Sequence, residues 1–427
     1  MQLYIVLAIM LFMIVSFILG KWSFGLTAMT CCVLLVLTGI YSVPQAFAGL
    51  CNQNVILVAG MFVVTNAFGK TSLIEKIRLS MVKLQGTKNT LLLICLYGLV
   101  IVFSTFLPST GVITIMMMFL MSLNDTGDIT PSRMLLPVLA LNSIWTSKIP
   151  LGMGAAGYAN LNVYYEGLGA TPDQLLQMFD RFKVCIVPCL ILTVYCLFAY
   201  KLMPTTSTID ASKLKEVKKK EVIPKQKEYI IYTVFVLVMV SLFMSNVLGG
   251  YMYIVPIVGA MILVYTKAIS PNELKQSVTS NAVWMLAGVL IMANALGDTG
   301  AGEVIGNGIL KILGGNPSGL FVMFVFAIIT VIMTTFMSNG AVGNVLIPIA
   351  ASTCLAAGWD PRGIVLLVST CAGVAIAFPS GSPACAIAYA AGNYKISKTL
   401  KFTLPFIVIA IVSLVISANA VFPIYGK

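Results

Sequence analysis

Ser104-Thr105-Phe106-Leu107-Pro108-Ser109-Thr110-Gly111 recurs as Thr334-Thr335-Phe336-Met337-Ser338-Asn339-Gly340-Ala341. Each copy ends an apolar run with a short polar break. The match continues on both sides in nearly the same register. Upstream, Asn66-Ala67-Phe68-Gly69 aligns with Asn294-Ala295-Leu296-Gly297. Downstream, Pro150-Leu151-Gly152-Met153-Gly154 aligns with Pro379-Ser380-Gly381-Ser382-Pro383. The stretch Asn54 to Asn160 is therefore read as a first copy and Asn281 to Tyr389 as a second. A duplicated membrane unit with polar breaks at corresponding depths marks a secondary transporter, and its substrate site is expected where the copies meet.

Composition fixes the environment. The 427 residues are 59% hydrophobic and 9% charged, with a mean hydropathy of +0.99. Such a balance belongs to a chain that faces lipid or other helices along most of its length. Leu3 to Leu19 lacks a basic start and a small-residue cleavage site, so it reads as the first membrane helix and not as a signal peptide. The ten cysteines sit mostly in apolar runs. Cys185, Cys189 and Cys196 follow helical spacing, as packing residues do. The net charge of +12 is a topology signal and not a nucleic-acid footprint.

A span needs about 20 apolar residues. Crossings are expected near 3–19, 23–40, 53–69, 131–165, 182–200, 229–247, 251–266, 281–297, 361–393 and 402–422. The stretches 90–123 and 317–357 are each interrupted in the middle. They are expected to form re-entrant hairpins. The predicted organisation is a first inverted repeat (1–200), a basic linker (201–228) and a second inverted repeat (229–427). With the linker in the cytoplasm, most of the 26 basic residues fall inside, including the cluster at 70–88 and Arg133. Arg181, Lys183, Lys311, Arg362 and Lys427 fall outside, as do both termini. This distribution obeys the positive-inside rule. The expected location is the cell (inner) membrane. Lys148, in the fourth crossing, is the one charge that fits neither interface.

Broken helices at mid-depth are tolerated only inside protein or beside a cavity. Four are predicted, at 107–111, 148–154, 337–341 and 378–383. Helix N-termini at such breaks favour anions, and C-terminal ends and unwound carbonyls favour Na⁺. The chain has no His, and none of its 14 acidic residues falls in the predicted membrane core. That argues against a His or carboxylate proton relay, metal catalysis, a His-based nucleophile triad and an intramembrane enzyme. No cofactor is expected beyond a coupling ion. An anion channel is the other transport class, against which the closed hairpin tips speak.

The order of hairpin tip and interrupted helix, twice over, resembles the divalent anion:sodium symporter family of the ion transporter superfamily, which carries dicarboxylates, citrate and sulfate. The resemblance spans nearly the whole chain. The family's mark is Ser-Asn-Thr at each tip, with a Pro- and Thr-rich break in each partner helix. Ser338-Asn339-Gly340 with Pro379-Ser380-Gly381-Ser382-Pro383 is a fair match, whereas Pro108-Ser109-Thr110 with the 150–154 break is degraded. The resemblance implies a second-half Na⁺ site at Thr334, Asn339, Met337 and Gly381. It implies substrate contacts at Ser338, Asn339, Gly340, Ser382 and Pro383. In the first half Ser104 stands for Thr334 and Ser109 for Asn339. Ser104, Ser109 and Gly152 are then the remains of a first cation site, with Ser109 and Thr110 left to meet substrate. The family also implies a homodimer with elevator-type motion.

A mid-membrane ammonium needs a reason. Lys148 has three readings: a built-in cation where relatives bind a first Na⁺, a direct partner of a substrate carboxylate, or a snorkelling structural residue. The sequence-based conclusion is an all-α polytopic membrane protein with two inverted repeats. Its expected function is secondary active transport of a small anion, a di- or tricarboxylate, coupled to Na⁺. The alternatives are a Na⁺-independent exchanger and a carrier of an inorganic oxyanion such as sulfate or arsenite. Partners are the anion, Na⁺, membrane lipid and a second copy, with no nucleic acid. No Arg fork that would separate sulfate from carboxylate is evident in the predicted pocket.

Overall fold

Apolar runs without β-punctuation become helices, and among the described residues there are no strands. The computed structural model describes residues 2–19, 21–72, 89–120, 129–204, 224–315 and 317–424. The basic cluster beyond Ser72, the end of the 90–123 stretch and most of the 201–228 linker lie outside the described residues. Seven helices are long and apolar enough to span a membrane, or eight if Val43–Cys51 and Gln53–Gly69 form one bent span. Their outward faces carry exposed Phe198, Val240 and Ile416, as a lipid boundary requires.

Both interrupted stretches are helical hairpins. The first joins Asn89–Phe106 to Ser109–Leu120. Pro108 lies just before the second arm, where its missing N–H costs nothing. The second hairpin joins Gly319–Phe336 to Asn339–Ala356. Ser338 stops one helix and starts the next: its hydroxyl accepts from the Ala341 N–H at 3.2 Å, a side-chain cap.

The partner helices are broken as well. The first runs Pro131–Trp145 and resumes through a tight turn at Gly152–Ala156 into Gly157–Asn162. The second runs Arg362–Cys371 and resumes at Pro383–Gly392, where the Ser382 hydroxyl accepts from the Cys385 N–H at 3.1 Å. Each break folds its backbone back on itself, and a glycine makes that approach possible. A Cβ on Gly154 would sit 1.9 Å from the Ile149 carbonyl oxygen, and one on Gly381 2.3 Å from that of Ala375.

The two constellations are packed together. Pro383–Gly392 lies against both Ser109–Leu120 and Pro131–Trp145. Asp180–Ala199 packs along Ile396–Val421, with Cys185, Cys189 and Cys196 buried as expected. Around them, Phe24–Leu37 lies along Asn281–Asp298. Gly288 permits that contact, since a Cβ there would come within 2.7 Å of the Ala28 Cβ. Small residues bring membrane helices close in this way.

Candidate functional site

All four breaks meet at one cavity of about 290 Å³. The first hairpin contributes Ser109, and the first broken helix Asn142, Thr146 and Lys148. The second hairpin contributes Asn339, Gly340 and Asn344, and the second broken helix Ala372 and Ser382. The helices starting at Ser109, Asn339 and Pro383 open on this space with their N-terminal ends, which carry free N–H groups and partial positive charge. Lys148 is 5% exposed and lines the same space. No Asp or Glu lines it.

In the second half, three oxygens converge on one terminal atom of the Asn339 amide. Thr334 Oγ1 is 2.8 Å away, the Ala372 carbonyl 3.0 Å and the Gly381 carbonyl 2.8 Å. Only the amide nitrogen satisfies this surrounding, so it is assigned there. Thr334 in turn donates to the Ala372 carbonyl at 2.7 Å. The cluster offers three hard oxygens around a single point, now met by an amide N–H₂.

The first half solves the same problem with different residues. Ser104 Oγ donates to Asn142 Oδ1 at 2.9 Å. Thr146 Oγ1 donates to the Asn142 carbonyl at 2.6 Å and lies 3.2 Å from Ser109 Oγ. In the register that pairs Ser104 with Thr334, Asn142 takes the place of Ala372. The amide has therefore moved from the hairpin tip to the broken helix. Asn142 is 1% exposed and was not singled out in the sequence, where it ends a run of apolar residues. Its register with Ala372 was the available signal. The break that follows holds Ser147 and Gly152 in left-handed conformations, both at φ 56°.

Several predicted residues fall elsewhere. Ser338 and Met337 line a neighbouring cavity of about 370 Å³ with Trp22, Phe24 and Asn281, so the Ser338–Asn339 bond separates the two spaces. Thr110 and Pro383 are not among the residues lining the central cavity. The Thr110 carbonyl accepts from Thr114, and Pro383 opens its helix at an exposed position. Thr334 and Ser104 lie behind the cavity wall as buried partners of the amides.

One sequence-based expectation is corrected. No Arg was expected in the predicted pocket, yet Arg181 lines the central cavity. The pocket does contain a guanidinium. Arg181 stands in the first turn of Asp180–Ala199, so the start of that helix reaches the cavity. A second link across the site joins the Tyr164 hydroxyl to Asn344 Oδ1, and both residues line the cavity.

A family model described as the sodium:sulfate symporter transmembrane region matches residues 2–424. The chain belongs to this family of transporters. It is 22% identical over 411 residues to an uncharacterized transporter of Haemophilus influenzae, spanning 92% of this chain and 87% of that one. A shorter match, 28% identical over 133 residues, links it to the uncharacterized transporter YfbS of Escherichia coli and covers 31% of this chain and 22% of that one. The fold is similar to that of the Alcanivorax borkumensis YdaH transporter, with a TM-score of 0.61 and 12% identity over 91% of this chain and 87% of that one. It is also similar to that of Neisseria gonorrhoeae MtrF, with a TM-score of 0.59 and 16% identity over 90% and 84%. The protein is thus a multi-span membrane transporter.

Proposed function

We propose that the chain is a secondary active carrier of a small anion of the di- or tricarboxylate class, coupled to Na⁺ bound in its second half. The observation that carries this reading is the convergence of four helix breaks on one carboxylate-free cavity holding a buried ammonium. Three helix N-termini and Lys148 favour a negative ligand there. The Na⁺ assignment rests on the oxygens of Thr334, Ala372 and Gly381 around Asn339. Turning the Asn339 amide over would add its own oxygen to that set, and a bound Na⁺ would hold the four oxygens together. The equivalent point in the first half is closed by Asn142 and lies near Lys148, whose fixed charge stands in for a first Na⁺. Inverted orientation of the halves, elevator-type motion, a homodimer, and a cytoplasmic linker with both termini outside belong to the same proposal.

The test is radiolabelled uptake into proteoliposomes, with succinate, citrate and sulfate and with Na⁺ or K⁺ outside. Uptake of at least one anion that requires Na⁺ is the expected result. Uptake of all of them unchanged in K⁺ would replace symport with exchange. Topology is checked by labelling single cysteines at positions 125 and 215 with an impermeant reagent. Both are expected to react from the same side, and labelling from opposite sides would mean that the first hairpin crosses the membrane.

A further inference from the structure

Arg181 belongs to neither hairpin and to neither broken helix. It sits at the second position of Asp180–Ala199, yet it lines the cavity with Lys148. Its guanidinium is only partly engaged. Nη2 donates to Ser369 Oγ at 3.2 Å, and Nε has no hydrogen-bond partner. Gly157 leaves room for it, because a Cβ there would lie 3.2 Å from Nη1. The adjacent carboxylate does not neutralise it. Asp180 accepts from Lys183 Nζ at 3.0 Å and from the Gln177 N–H at 2.8 Å. The cavity therefore presents an ammonium and a guanidinium with no carboxylate between them. A buried cation without a counter-charge is unfavourable, and a ligand with one negative charge compensates only one of the two.

We propose that Arg181 contacts substrate and sets its charge class: with Lys148 it selects anions bearing two negative charges over monoanions of the same shape. This rests on the anion-carrier reading above and adds to it a residue outside the repeated breaks. The guanidinium takes one anionic group through its planar set of donors while Ser369 fixes its orientation. Lys148 and the helix N-termini take the other. Because Ser369 lies on the second broken helix and Arg181 follows the first, this contact also ties the charge requirement to the way the two halves face each other.

The experiment is thermal melting of the purified full-length chain against matched anion pairs, succinate with monomethyl succinate and sulfate with methyl sulfate. The wild type is expected to be stabilised by one dianion at concentrations about tenfold or more below its monoanionic partner, the size of one charge-assisted hydrogen bond. Arg181→Gln should weaken the dianion and leave the monoanion unchanged, so that the preference collapses. Arg181→Lys should retain part of it. Ser369→Ala keeps the charge but releases the guanidinium, so a partial loss of preference is expected; it also serves if Arg181→Gln does not fold. A wild type that does not discriminate within either pair overturns the proposal. So does an Arg181→Gln variant, or a Ser369→Ala variant standing in for it, with the full wild-type preference. If Asn339→Ala abolishes stabilisation in that same case, the carrier reading stands and only the role of Arg181 falls. If no anion in the panel stabilises the wild type, both fall together.

Discussion

In the first half the amide at the heart of the break comes from the broken helix, at Asn142; in the second it comes from the hairpin tip, at Asn339. Both amides bind a hydroxyl of the incoming hairpin arm, Ser104 in one case and Thr334 in the other. The surroundings differ. Asn142 uses its Oδ1 as acceptor for Ser104, and its own carbonyl is occupied by Thr146. Asn339 fills a ring of three oxygens as donor. The first arrangement is closed within itself, whereas the second is a set of oxygens that a cation or an amide can satisfy. Lys148 sits on the closed side. Both halves thus connect hairpin to broken helix, while only the second holds an adaptable oxygen cluster.

The largest effect should come from removing the adaptable amide. Asn339→Ala leaves the buried Gly381 carbonyl without its amide donor, a loss of about 1–3 kcal/mol, while Ala372 keeps the donor of Thr334, and it removes an oxygen from the coupling site. Uptake is expected to disappear while the protein still elutes as a folded species on size exclusion. Near-normal uptake at normal expression would take the second tip out of the mechanism.

Lys148 probes the other side. Lys148→Ala should abolish most uptake, because a fixed charge near substrate in a low-dielectric cavity is not replaced by solvent. Lys148→Arg should also be impaired, since a planar fork does not occupy the place of a compact ammonium. In the wild type the Na⁺ dependence of uptake should have a Hill slope near one. If Lys148→Ala transports normally with an unchanged Na⁺ curve, the lysine is structural and the contrast between the halves is one of packing alone.

A smaller effect is expected from exchanging the two designs. Asn142→Ala should lower stability by about 1–3 kcal/mol through the stranded Ser104 hydroxyl, read as a lower melting temperature. Adding Ser109→Asn moves the amide back to the tip, as in the second half, and should recover part of that loss. Purely additive losses in the double variant would mean that the positions are not equivalent.

The smallest effect should be at Ser338, which faces the neighbouring cavity. Ser338→Ala removes a helix cap worth about 1 kcal/mol and should leave uptake of the anion close to wild type. An uptake loss as deep as that of Asn339→Ala would show that both faces of the tip meet substrate.

Much of this was legible in the residues. Interrupted apolar runs mark the hairpins because a spanning segment must satisfy its own backbone, so a mid-run Pro108, or an Asn339-Gly340 pair, announces a break. Lys148 announced itself because an ammonium in an apolar run has no cheap explanation. Asn142 was silent: one polar residue at the end of an apolar helix looks like the start of the break, and its partner Ser104 is distant in the chain. Arg181 was misleading. A basic residue at the head of an apolar helix reads as an interfacial charge, and nothing local shows that it lines the cavity. Ser338 and Asn339 were indistinguishable as neighbours, yet they line different spaces.

The sequence by itself determined the all-helical membrane class, the four breaks and the lone mid-membrane lysine. Each follows from composition or local periodicity, which the solvent enforces on every short segment independently. Only the tertiary structure decided that the four breaks share one cavity, that Asn142 does for one half what Asn339 does for the other, and that Arg181 joins Lys148. These depend on which distant segments pack together. Pro383–Gly392 reaching across to Ser109–Leu120, and Ser369 meeting Arg181, are products of non-local packing that no local pattern encodes.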